Sequence, residues 1–145
     1  MGLVEYEERD ILTFPDGLVG FPDHKQFILC GEQDLKPFQW LVSLESPDLS
    51  FLVVDPYLFF PDYSIGRERM LDLAGRGEEV HYVRIFAIVT IDEDFIRSTA
   101  NLLGPLVVNL ASRRGRQLVL DDTRYTTRHL LFRKLLDDVE KAETG

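Results

Sequence analysis

The sequence predicts a mainly β, single-domain protein: an antiparallel, barrel-like fold with one or two short helices. Three observations predict it. Apolar runs such as FLVV and LVVNL are strand-sized and rich in β-branched residues. Gly and Pro clusters punctuate them at short intervals, as in all-β barrels and sandwiches. The 145 residues contain no repeat, low-complexity tract or long linker, so they suit one domain with a real core.

In chain order, Ile11-Leu12-Thr13-Phe14 reads as a strand ended by the turn Pro15-Asp16-Gly17. Phe27-Ile28-Leu29-Cys30 is a second short strand. The runs 38–44 (FQWLVSL) and 50–55 (SFLVVD) flank Glu45-Ser46-Pro47-Asp48, with Pro at a favoured turn position, and predict a hairpin. Residues 80–91 (VHYVRIFAIVTI) form a long strand candidate. The runs 106–110 and 117–120 flank Ala111-Ser112-Arg113-Arg114-Gly115-Arg116, a second hairpin with a basic tip, and Gly104-Pro105 should break or kink the strand before it.

Two helices are expected. Residues 67–74 (RERMLDLA) make about two turns, with Ser64 as N-cap and Gly75 as stop. The tail from Thr127, a candidate cap, places Leu131, Leu135 and Val139 on one stripe with Leu136 beside them. It is expected to pack on its own domain. The reading divides the chain into a β domain over 1–130 and a helical extension over 131–145.

Composition narrows the function. Hydrophobic residues make up 45% and charged residues 28%, the balance of a soluble globular protein. No run approaches the roughly 18 apolar residues of a membrane span. The start, MGLVEYEERD, lacks a secretory apolar segment and does not fit the myristoylation pattern, so the expected location is cytoplasmic. One cysteine, Cys30, excludes an internal disulfide and reads as a small buried hydrophobe. The net charge is −9, with 19 acidic and 7 basic side chains in residues 1–96, but 8 basic and 2 acidic in 97–134. An acidic bulk repels nucleic acid and speeds encounter with basic partners; it also simply keeps a protein soluble.

Motifs for chemistry are absent. His24, His81 and His129 stand far apart, outside any HExxH or Cys/His zinc spacing. There is no GxSxG and no phosphate-binding GxxxxGK[ST]. Asp92-Glu93-Asp94 lacks the alternating ligands of a calcium loop and reads as a solvated turn. Asp121-Asp122 point to opposite faces if extended and read as a strand end. No enzyme, metal or cofactor is expected. The arginines of the 113–116 tip lack the stacking aromatics of a nucleic-acid module.

One stretch resists a bland reading. In VVDPYLFFPDY (53–63) the strand must end near Pro56, yet four large apolar residues come after it. They form either a buried plug or an exposed contact patch; both readings stand. The candidate partner-binding residues are Asp55, Tyr57, Phe59, Phe60, Asp62 and Tyr63, with Thr99 and Asn101 as polar neighbours. Asn101 also reads as a residue that satisfies a turn backbone.

Here the sequence resembles the flagellar assembly factor FliW family. The resemblance rests on ILTFPDGLVGF (11–21), residues 38–44 with PDLSF (47–51), VVDPYLFFPDY, AIVTI (87–91), TANLLGPLVVN (99–109) and YTTRH (125–129), in that order. It covers most of the chain to about residue 130 and assigns no role to the tail. It implies a small β-rich cytoplasmic protein without catalysis, which binds two partners: flagellin and the RNA-binding translational regulator CsrA. Bound to CsrA, such a protein relieves repression of flagellin translation; accumulating flagellin captures it and frees CsrA. Neither direct nucleic-acid binding nor membrane association is implied, and a monomer is expected. The alternative from another class is a small-ligand-binding β-barrel with the aromatic stretch lining its interior.

Overall fold

A computed structural model describes residues 5–66, 68–70 and 81–144. Among the described residues nine strands form one sheet: β1 (Leu12–Thr13), β2 (Gln26–Gly31), β3 (Gln39–Ser43), β4 (Ser50–Val54), β5 (Val83–Thr90), β6 (Thr99–Ala100), β7 (Leu106–Asn109), β8 (Arg114–Gln117) and β9 (His129–Leu130). One helix, α1 (Arg133–Thr144), comes after them. Seven of the strands close into a barrel in the order β4-β3-β2-β1-β8-β7-β5, sealed by pairing of β4 with β5.

A ring with an odd number of strands cannot alternate direction all the way round. One neighbouring pair must run parallel, and it is β1 with β8, joined at Thr13 and Arg114. All the other pairs are antiparallel. The mostly antiparallel barrel expected from the sequence is what forms, with this seam as its parallel exception.

Strands β6 and β7 lie along the same edge of β5. The carbonyl of Tyr82 accepts from Leu110 N–H, and that of Ile88 accepts from Asn101 N–H. Carbonyls an even number of residues apart in an extended strand point the same way. Between the pairs Val89–Ala100 and Phe86–Leu106, β5 spends two residues while the partner chain spends five. The excess loops out at Asn101–Pro105, so Gly104-Pro105 does interrupt a strand, as its composition predicts.

Side-chain alternation sorts the core into two layers. Leu12, Phe14, Phe27, Leu41, Val53, Phe86, Leu106 and Val108 fill the barrel, with Phe14 and Phe27 edge-on at 5.4 Å. Leu52, Val54, Ile85, Ala87, Val89 and Val107 point outward into a second apolar layer beneath Tyr63, Leu102, Leu118, Leu120 and Leu131. Strands buried on both faces need continuous apolar runs, which is why SFLVV and IFAIV read as they do. Gly115 of β8 faces the interior, where a Cβ would lie 2.6 Å from Phe14 Cζ; its missing side chain makes room for that ring.

The boundaries correct several expectations. The hairpin tip is not 111–116: β8 begins at Arg114, so the basic run lies mostly within a strand. Arg113, at φ 60, makes the turn, and Asn109 Oδ1 accepts from Ala111 and Ser112 N–H. Of the strand expected over 117–120, Gln117 ends β8 and residues 118–120 lie beyond it. Cys30 is half-buried in β2 rather than fully buried, and burial raises its thiol pKa. Thr127 does not cap the tail helix, because β9 intervenes. On α1, Leu136 is buried while Leu135 and Val139 are exposed, so the expected 131/135/139 stripe is turned; packing runs through Leu131 and Leu136. Of the helix expected over 67–74, residues 68–70 are helical and the others lie outside the described residues.

Gly115→Ala should lower stability by about 1–3 kcal/mol through overpacking against Phe14. Phe14→Leu in the same chain should recover part of that loss, and a denaturant double-mutant cycle measures the coupling.

Candidate partner-binding surface

The surface is built from the segment after β4. Pro56 cannot extend the ladder, and the chain enters a 3-10 turn over Pro56–Leu58, started by Asp55, whose Oδ1 accepts from Tyr57 N–H at 2.9 Å. The N–H groups of Phe59 and Phe60 both reach the Pro56 carbonyl, and Tyr63 N–H reaches that of Phe60. These tight turns throw successive side chains in different directions. Pro56 and Tyr63 are buried, Phe59 and Phe60 are half-buried, and Tyr57 (37% exposed) and Leu58 (60%) face solvent. The stretch is thus both plug and patch.

Two aromatic groups hold it. Phe38, Phe59, Phe132 and Phe95 form a closed quartet with centroids 5.8, 5.7, 5.5 and 5.8 Å apart around the cycle. Beside it runs a chain Tyr57–Tyr63–Tyr125–His129–Phe60, with spacings of 5.7, 4.8, 6.2 and 5.9 Å. Edge-on and tilted pairs of this kind add about 0.5–1.5 kcal/mol each beyond burial. The Tyr63 hydroxyl donates to the Leu102 carbonyl at 2.6 Å. Burial first, then the neighbouring Tyr57 and Tyr125, pushes its pKa well above the ordinary phenol value. His129 Nε2 accepts from Thr126 N–H at 2.8 Å, which requires a neutral ring, and burial lowers its pKa accordingly.

Three concavities surround the segment. A groove of about 650 Å³ lies between Phe59–Phe60, β9 and α1, with Arg128, Arg133, Lys134, Asp137, Asp138 and Lys141 along its sides. A second, of about 390 Å³, opens between Pro61, Asp62, Arg124 and Tyr125 and shares Phe59, Phe60 and His129 with the first. A third, of about 360 Å³, holds Asp55 and Tyr57 against residues 83–86.

The residues singled out from sequence separate accordingly. Tyr57, Phe59, Phe60 and Asp62 share this surface, and Asp55 shapes it as a cap. Tyr63 (5% exposed) is a core residue that supports the surface from beneath. Thr99 pairs with Thr90 and Leu130 in the sheet. Asn101 Oδ1 accepts from Gly104 N–H at 2.8 Å, the turn role. Sequence reasoning misses Phe38, Phe95 and Phe132, which meet Phe59 from distant segments with no local spacing to reveal them. It picks out Tyr125 to His129 without fixing their role.

The serine–histidine contact found among the described residues is not arranged for catalysis. His24 Nδ1 lies 2.9 Å from Ser43 Oγ. Ser43, however, is fully buried, its hydroxyl accepts from Ser46 N–H, and the Glu45 carboxylate accepts from Lys25 and Gln26 N–H rather than orienting the histidine. Among the described residues there is no cluster of three or more metal-ligating side chains and no helix long and apolar enough to cross a membrane.

Comparison with known proteins decides the family. The model of the family described as FliW protein matches residues 1–131. The chain belongs to the FliW family. It is 42% identical over 133 residues to the flagellar assembly factor FliW of Natranaerobius thermophilus, covering 90% of this chain and 87% of that one. Its counterpart in Moorella thermoacetica is 39% identical over 146 residues, covering 96% and 89%. A crystal structure of the flagellar assembly factor FliW superposes with a TM-score of 0.79 at 37% identity, covering 89% of this chain and 90% of that one. The barrel is therefore the FliW fold, and α1 begins just after the family match ends.

Tyr63→Phe should cost about 1–2 kcal/mol by leaving the Leu102 carbonyl unpaired. Because the folded pKa is raised, the stability Tyr63 contributes is whole below the unfolded value near ~10 and is lost as pH rises past it. Urea titrations at pH 8 and pH 11 should show a smaller loss in the variant than in the native chain.

Proposed function

We propose that this chain is a flagellar assembly factor that works by binding proteins, without catalysis, as a partner switch between CsrA and flagellin in the cytoplasm. The observation that carries this is the apolar surface of Tyr57, Leu58, Phe59 and Phe60, rich in aromatic rings, partly exposed on a buried scaffold and set in an acidic chain of net charge −9. Aromatic anchors on a rigid base suit protein recognition. The acidic field suits a basic partner such as an RNA-binding regulator. Membership of a family whose relatives carry the name flagellar assembly factor supports the biological setting.

The small-ligand reading loses its main support, because Phe14, Phe27, Leu41 and Phe86 occupy the barrel interior where the ligand would sit. An RNA-binding role for Arg113, Arg114 and Arg116 is also disfavoured. Arg113 is tied to the Asp10 carbonyl at 2.7 Å and Arg116 pairs with Asp16 at 3.3 Å.

Adding flagellin to a preformed complex with CsrA should release CsrA, read by size exclusion or by a labelled CsrA. Absence of binding to either protein at micromolar concentration overturns the proposal. Asp48→Lys with Asp62→Lys, both exposed, should slow CsrA association roughly 3–10-fold at low salt and weaken its salt dependence. Stopped-flow rates at two ionic strengths check this.

A further inference from the structure

The groove between β9 and α1 has a character opposite to the rest of the molecule. Three features meet there. The first is an unpaired strand edge. Leu131 N–H donates to the Ser98 carbonyl, so in the β6–β9 register His129 and Leu131 turn their backbone groups toward β6. Leu130, between them, directs its N–H and carbonyl away from the sheet, and no group among the described residues pairs with them. Such an edge is a template for one more strand.

The second feature is an apolar wall: Phe59, Phe60, Leu130 and Leu131 line the same groove. The third is charge. Arg128, Arg133 and Lys134 line it and are all exposed. None of the three forms an ion pair among the described residues, whereas Arg9, Arg97, Arg116 and Arg124 all do. Asp137 and Asp138 lie one turn further along α1 and line the groove as well, so the positive end is the one nearest β9.

We infer that this groove binds an extended acidic peptide segment of a partner protein, which pairs with the edge at Leu130, sets an apolar side chain against Phe59 and Phe60, and places carboxylates on Arg128, Arg133 and Lys134. Strand addition supplies backbone hydrogen bonds, and the pocketed side chain supplies selectivity. Guanidinium groups with no ion-pair partner among the described residues are free to take carboxylates in two-point fashion. The acidic residues 1–96, by contrast, would repel an acidic segment from most of the remaining surface. A single-stranded nucleic acid is the other polyanion to consider. It is disfavoured by the wall, which is edge and corner rather than an open stacking face, and by Asp137 and Asp138. The groove shares Phe59 and Phe60 with the surface of the partner switch proposed above, but its charge and its strand edge are tested independently and hold whichever protein carries the segment.

The test uses the full chain and a fluorescein-labelled octapeptide of Asp and Glu with one central Phe, monitored by fluorescence anisotropy. Saturable binding is expected, weakening as salt rises from about 50 to about 300 mM. Arg133→Glu with Lys134→Glu should weaken it at least ~10-fold while leaving the thermal midpoint unchanged, as both side chains are exposed. Replacing the residue that meets Leu130 by its N-methyl form, scanned along the peptide, should abolish binding at one or two positions only. Absence of saturation at about 1 mM, equal binding of a Lys-rich peptide, indifference to the charge reversal, or tighter binding of a labelled oligouridylate would each overturn the assignment.

Discussion

The wall formed by β4, β5 and β7 is buried on both faces, and the candidate surface is anchored to it. Val53, Phe86, Leu106 and Val108 fill the barrel, while Leu52, Val54, Ile85, Ala87, Val89 and Val107 carry the outer layer. A one-residue slip of any of these strands would exchange the two sets. The outer layer, and with it the Phe59 quartet and the Tyr63 hydroxyl bond, therefore inherits its register from the barrel. Close packing on both sides leaves little freedom for the corner at 55–63 to shift without disturbing the core.

That coupling explains how an aromatic-rich corner can stay partly exposed without collapsing inward. Each ring has one committed side. Phe59 leans on Phe38 and Phe132, Phe60 on His129, and Tyr57 on Tyr63. Rings fixed in this way lose little further freedom when a partner covers their other side, which favours affinity. The neutral His129 ring, receiving the Thr126 N–H, holds the 126–129 turn beside the same surface.

Much of the barrel is legible in the sequence because burial on one or two faces writes a pattern into neighbouring residues. The strands at 26–31, 39–43, 50–54 and 83–90 fall close to expectation, and so does the interruption at Gly104-Pro105. Arg114 to Arg116 mislead because their charges suggest a loop, whereas the inward-facing positions of the strand are Gly115 and Gln117, neither of which carries an apolar side chain to announce it. The tail helix misleads differently: several stripes are compatible with its spacing, and only the contact at Leu136 decides among them. At the candidate surface, Asp55 to Tyr63 announce themselves through local sequence. Phe38, Phe95 and Phe132 do not, because their association is made by topology. The free edge at Leu130 cannot be read from sequence at all, since it depends on the direction of backbone groups in a two-residue strand.

The parallel seam has a consequence for the order of assembly. β1 offers only Leu12 and Thr13, and the Arg113 side chain that reinforces the junction reaches Asp10 across 103 positions of sequence. The seam itself, pairing Thr13 with Arg114, cannot form as a local hairpin. The meander of β2, β3 and β4 can zip up from its turns, as can the β7–β8 pair, but the staves meet at the seam only after a long loop is drawn shut. Ring closure thus carries the largest loop-closure cost in the fold, and until Arg114 and Gly115 are in place the side of the barrel over Phe14 stays open.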